Sequence, residues 1–93
     1  MTPIRFRKII SGTLAVWDVG CKINFVEDGF SCFLEGPSYT VSIAYEEQAF
    51  GPVWRIEKNG ERERVYPSVG AMMRALAQIF LPNRQVARVI FSR

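Results

Sequence analysis

The sequence contains no histidine. Without it there is no Ser-His-Asp or Cys-His triad and no His-ligated metal site. Cysteine is scarce, with Cys21 and Cys32 alone. Such a pair cannot by itself complete the tetrahedral N and S ligand set of a structural zinc, and it is too small for a disulfide framework. The two are read as buried thiols in a reducing cytoplasm, with a disulfide as the alternative. No apolar run approaches the roughly 18 residues of a membrane span. The first residues, MTPIRFRKIISG, have a basic start but no long apolar segment and no small-residue cleavage site. They read as mature protein, not as a signal peptide. No Walker motif, dinucleotide fingerprint or EF-hand loop occurs. The paired acids Glu27-Asp28 and Glu46-Glu47 fall at predicted turns, where neighbours do not form the separated pair that acid–base chemistry needs. The expectation is a protein that is not an enzyme and uses no cofactor and no metal.

What is present is a single small domain's worth of chain, 93 residues of which 48% are hydrophobic, expected to fold as one unit over 1–93. Charge is unevenly spread. Residues 1–10 sum to +3, residues 11–50 to −5 and residues 51–93 to +5. Asymmetry of this kind points to an anionic partner.

The chain reads mainly as short strands. Residues 4–10 and 13–19 flank Ser11-Gly12 and read as a hairpin, with Ile4, Phe6, Ile10 and Trp17 on one face and an Arg5–Asp18 pair on the other. Residues 21–27 and 30–35 flank Asp28-Gly29. Their register sets Phe25 opposite Cys32, Ile23 opposite Leu34, Lys22 opposite Glu35 and Asn24 opposite Phe33. Residues 38–46 alternate, with Tyr39, Val41, Ile43 and Tyr45 on the core face. A connection over Glu46-Glu47-Gln48 and Gly51-Pro52 follows, with Phe50 folded back beneath it. Asn59-Gly60 is the strongest turn signal in the chain. Pairing across it places Trp54, Ile56 and Val65 in the core and Val53, Arg55, Glu57, Arg62, Arg64 and Tyr66 outside. Arg55 then faces Arg64, a locally unfavourable like-charge pair.

Ser68 caps the one convincing helix. Val69, Met72, Met73, Leu76, Ile79 and Phe80 form an apolar stripe along it, and the stretch Leu81-Pro82 ends it. The tail RQVARVIFSR is read as a strand over 84–93, with a second helix as the alternative. The expected fold class is α+β. It is an antiparallel meander of short strands, strongly twisted or curled towards a partial barrel, with one helix packed on its apolar face.

Function is sought on the surface. Arg55, Arg62, Arg64 and Tyr66 interleave basic and aromatic groups on the outward face of the last hairpin. Arg5, Arg7, Arg74, Arg84, Arg88 and Arg93 extend the basic surface. Glu57, Glu61 and Glu63 are woven through it, and mixed sign suits a protein partner better than a phosphate track. The acidic middle, residues 27–47, is a second candidate partner surface. The expectation is a small non-catalytic cytoplasmic protein that binds another protein, as an accessory or inhibitor. Its size is that of phage or mobile-element regulators that target nucleic-acid machinery. The alternative is a single-stranded nucleic-acid binder using the basic and aromatic sheet face. No membrane partner is expected.

Overall fold

The structure is a computed structural model that describes residues 1–27 and 29–81. The expected strand over 84–93, with Arg84, Arg88 and Arg93, lies outside the described residues. In chain order the elements are α1 (Pro3–Val16), β1 (Lys22–Phe25), β2 (Ser31–Glu35), β3 (Thr40–Gln48), β4 (Gly51–Lys58), β5 (Arg64–Tyr66) and α2 (Val69–Phe80). The strands form one antiparallel meander in the order β1-β2-β3-β4-β5, so β1 and β5 are its edges. This is the α+β class expected from the sequence, with two helices where one was expected.

The N-terminal hairpin is the main correction. Residues 3–16 are helical, because local capping and burial at helical spacing agree there. Thr2 is extended and its side chain accepts from the Arg5 amide at 3.1 Å. Pro3 follows at the first helical position, where its missing N–H costs nothing. Phe6, Ile10 and Leu14 recur at i, i+4 and i+8 and are all buried. The helix ends in a Schellman motif. Asp18 takes the left-handed conformation (φ 57°), with Val19 N–H bonding to the Leu14 carbonyl and Asp18 N–H to that of Ala15. Ser11, read as a turn residue, instead turns its hydroxyl back to the Arg7 carbonyl at 2.7 Å.

Gly12 lies inside α1 with open space where a Cβ would stand. Glycine in a helix interior is less favourable than alanine by about 0.8–1 kcal/mol. Gly12→Ala is therefore expected to raise stability by roughly that amount, seen as a higher urea midpoint at unchanged slope. In the hairpin first read from the sequence, the same change would weaken a turn.

Both helices lie on one face of the sheet. Phe6 of α1 stacks on Trp54 of β4, with ring centroids 5.9 Å apart, and meets Phe25 and Phe30 edge-on. Met72 and Leu76 of α2 join Cys32, Leu34, Val41, Ile43 and Ile56 in the same buried cluster. Ser68 caps α2 as expected, accepting from the Ala71 amide at 3.1 Å. Gly29 (φ 84°) closes the β1–β2 turn against α1, and a Cβ there would come within 2.6 Å of Pro3. The β1–β2 register agrees with the sequence reading pair by pair: Lys22↔Glu35, Ile23↔Leu34, Asn24↔Phe33 and Phe25↔Cys32.

β3 and β4 run further than expected and pair to their tip, Gln48↔Gly51. Phe50 is consequently not folded beneath the connection but stands at the hairpin tip, 82% exposed. The second register correction concerns β4–β5. The turn itself is as read: Asn59 and Gly60 both have positive φ, 54° and 73°, and Glu61 N–H reaches the Lys58 carbonyl at 2.9 Å. Asn59 is also stitched to β3, its Oδ1 accepting from the Thr40 amide at 2.7 Å. Beyond the turn the ladder is Trp54↔Tyr66, Arg55↔Val65 and Ile56↔Arg64. One extra residue has entered on the β5 side, a bulge, and a one-residue slip moves every later side chain to the other face. The slip covers the Tyr66 ring beside Trp54 and leaves Val65 53% exposed. Burying the larger ring outweighs burying the valine. Val65 is thus not core, and Arg55 faces Val65, not Arg64.

Cys21 and Cys32 are free thiols, half-buried and buried respectively. Burial, with a smaller contribution from the charge of Cys21, pushes the Cys32 thiol up to about 12 from an ordinary 9.0. Burial also raises Cys21, opposed by its hydrogen bond with the Tyr39 hydroxyl. Below pH 9 both folded and unfolded chains keep the Cys32 proton, and this group adds no pH dependence. Above pH 9 only the unfolded chain loses it, so stability falls as pH rises towards 12, by up to about 1.4 kcal/mol per pH unit. A Cys32→Val variant is expected to show a shallower alkaline loss in urea titrations from pH 8 to 11. At pH 8, thiol-specific labelling of the native protein should modify Cys21 and spare Cys32.

Candidate functional site

A groove runs between the β5 edge and α2, with a volume of about 640 Å³. Its two walls come from adjacent chain segments. The bulge after Asn59-Gly60 brings Arg64 onto the helix-bearing face, opposite Ile56. Pro67-Ser68 then turns the chain directly into α2, whose solvent-facing side carries Arg74 and Gln78. The floor is aliphatic, with Ile56, Ala71, Ala75 and Ile79. The rim holds Lys58, Arg62, Arg64 and Arg74, with Tyr66 at one side and Glu61 as the sole acid.

None of those four cations has an ion pair among the described residues, where the ion pairs are Arg55–Glu46 and Arg55–Glu63. The four cations of the groove are therefore held close together with Glu61 as the acid of the described lining and no ion pair among the described residues. Four like charges around a low-dielectric floor repel one another and raise the local potential, which favours an anionic occupant.

The structure divides the basic residues singled out from the sequence. Arg62, Arg64, Tyr66 and Arg74 come together in the groove. Arg55 is on the opposite face of the sheet. Its Nε donates to Glu46 Oε1 at 2.9 Å, and a terminal nitrogen donates to Glu63 Oε2 at 2.8 Å. Those hydrogen bonds hold the Glu46 carboxyl below its ordinary range and raise the guanidinium of Arg55. Arg7 belongs to α1 and lies over the Phe25 ring of β1, 5.2 Å from its centroid, near the other edge of the sheet. Arg5 lies in a second groove, between the helices. Pairing straight across the Asn59-Gly60 turn would set Glu57 against Arg62; the bulge shifts that register, and the two form no ion pair among the described residues.

Lys58, Ile56, Ala75 and Ile79 were not read from the sequence as site residues. The available signal was the helical stripe itself: Ala71, Ala75 and Gln78 lie beside the Met72–Leu76 line. That this flank faces the β5 edge follows only from the docking of α2.

The open face of the sheet carries Lys22, Asn24, Glu35, Glu57 and the Arg55 network, with Phe33, 51% exposed, its one aromatic among the described residues. Among the described residues, no cluster of three or more Cys, Asp and Glu side chains is placed to hold a metal ion, and no helix is long and apolar enough to cross a membrane. The fold and groove define a two-layer α+β protein with a cationic, aliphatic-floored cleft along one sheet edge. Comparison of the chain finds no matching protein family, no matching curated protein and no matching solved structure.

Proposed function

We propose that this is a non-catalytic binding protein, an accessory or inhibitor, whose β5–α2 groove takes an acidic segment of a protein partner. The observation that carries this reading is the pairing of four cations without an ion pair among the described residues, Lys58, Arg62, Arg64 and Arg74, with the aliphatic floor of Ile56, Ala71, Ala75 and Ile79. Carboxylates satisfy the rim, and apolar side chains on the same segment displace water from the floor.

The alternative reading, single-stranded nucleic acid, needs ring surfaces on which successive bases stack. The groove supplies Tyr66 alone, and the open sheet face supplies Phe33 amid carboxylates. The four cations keep this reading in the test.

The experiment is fluorescence anisotropy at fixed, stated salt with three probes: a peptide alternating acidic and large aliphatic residues, an all-glutamate peptide, and oligo-dT of similar length. The alternating peptide is expected to bind most tightly, and its affinity should fall only moderately with salt. Tightest binding to oligo-dT, with a steep loss of affinity as salt rises, would overturn the protein-partner reading in favour of nucleic acid.

A further inference from the structure

The β3–β4 hairpin extends past its neighbours as a finger. β2 pairs with β3 no further than Ser31↔Ala44, and β5 pairs with β4 no further than Trp54↔Tyr66. Beyond them the ladder pairs of Glu46, Glu47 and Gln48 are made only with Val53, Pro52 and Gly51. Phe50 stands at the tip, 82% exposed. An exposed phenylalanine at the end of a two-stranded finger is a large apolar anchor.

The same chain carries a socket. A groove of about 540 Å³ lies between α1 and α2, walled by Ile9, Val16, Trp17 and Met73, with Arg5 and Lys8 at its margin and no acid in its lining. The groove is open to solvent along its length, and Val16 on its wall is 83% exposed. Neither Arg5 nor Lys8 has an ion pair among the described residues. On the finger, Glu46 is already neutralised by Arg55. Among the described residues Glu47 has no ion pair, and the neutral Tyr45 hydroxyl donates to it at 2.9 Å.

We propose that the occupant of the inter-helix groove is the finger of a second copy of this chain, with Phe50 seated among Ile9, Val16, Trp17 and Met73 and Glu47 against Arg5 and Lys8. Shape and sign agree: an apolar tip beside one negative charge meets an apolar cleft beside two positive charges, none of the three in an ion pair among the described residues. The contact joins different surfaces on the two copies, so it is heterologous. It propagates head to tail into open chains, or into rings where the rotation closes. The inference is independent of the β5–α2 groove, which shares no lining residue with the inter-helix groove.

Sedimentation velocity from about 1 µM to about 1 mM, the span of moderate affinities, tests it. The weight-average mass of the wild-type chain should rise with concentration, and less so at high salt. Phe50→Ser removes the tip and Arg5→Glu/Lys8→Glu reverses the margin of the socket. All three positions are exposed, so far-UV circular dichroism should show both variants folded, and each alone should be monomeric throughout. Mixed one to one they should form a dimer and go no further, because one supplies the intact socket and the other the intact finger. A wild-type chain that stays monomeric, a Phe50→Ser chain that associates as the wild type does, or a mixture without the dimer would each overturn the proposal.

Discussion

Phe6→Ala is expected to lower the stability of this protein by about 3–5 kcal/mol, the range for removing a fully buried phenylalanine. Phe6 has no solvent exposure. It is the point where α1 meets the sheet, stacked on Trp54 and edge-on to Phe25 and Phe30. Truncation removes the ring's burial and leaves a cavity bounded by three other aromatics, two of them, Phe25 and Trp54, fixed in strands. A domain of this size has roughly 5–15 kcal/mol in total, so the loss is a large share of it. Each kcal/mol shifts the midpoint of thermal unfolding by about 4–8 °C. Ile4→Ala in the same helix is the control. Ile4 is 68% exposed, and its truncation should change stability by less than about 0.5 kcal/mol. The contrast also separates helix from hairpin. A strand over 4–10 would place Ile4 and Phe6 on one face, and both truncations would then be costly. Urea unfolding of the two variants, followed by tryptophan fluorescence, measures the difference.

Reversing Arg64 and Arg74 together is expected to weaken binding of the alternating acidic peptide by about 100-fold or more. The two residues stand on opposite walls of the β5–α2 groove, one on the edge strand and one on the helix. The double reversal therefore changes the rim from four cations and one acid to two cations and three acids, turning attraction into repulsion. Because neither side chain has an ion pair among the described residues, thermal stability should hardly move. Arg55→Gln supplies the spatial control. Arg55 lies on the far side of the sheet, engaged by Glu46 and Glu63, and peptide affinity should be unchanged. If Arg55→Gln weakened binding as much as the groove reversals did, the site would be the open sheet face and not the cleft.

The two registers show why part of the fold is legible in the chain and part is not. Along β1–β2, Ile23 and Phe25 alternate with Lys22 and Asn24, and the Asp28-Gly29 turn signal sets the pairing that puts Ile23, Phe25, Cys32 and Leu34 on the same side. Along β4–β5 the turn is equally clear, but the partner strand reads Arg64-Val65-Tyr66. Either parity puts one apolar residue inward. Which one is a question about the space beside Trp54, and that space is made by other elements. The candidate site inherited this ambiguity: the sequence reading grouped Arg55 with Arg62, Arg64 and Tyr66, and the bulge separates it from them.

The helix α1 is a second case. Ile9-Ile10, Phe6 and Trp17 favour strands, and Ser11-Gly12 looks like a turn. Thr2-Pro3 and the spacing of Phe6, Ile10 and Leu14 were the helical signals in the same stretch. Intrinsic propensity does not choose between these readings in a segment of this length, because most of a short helix's stability comes from packing its apolar face. The aromatic cluster around Phe6 makes that choice.

What the sequence alone determined is what nearest neighbours along the chain control: the β1–β2 pairing, the alternation in β3, the Asn59-Gly60 turn, the cap and stripe of α2, the α+β class and the absence of histidine chemistry. What only the tertiary structure decided is whatever depends on which distant surface a side chain meets. The helical state of residues 3–16, the side of the sheet taken by Tyr66 and Arg64, the exposure of Phe50 and the convergence of four cations over an aliphatic floor all belong there. Burial free energy scales with the area two elements remove from water together, and no single segment carries that information.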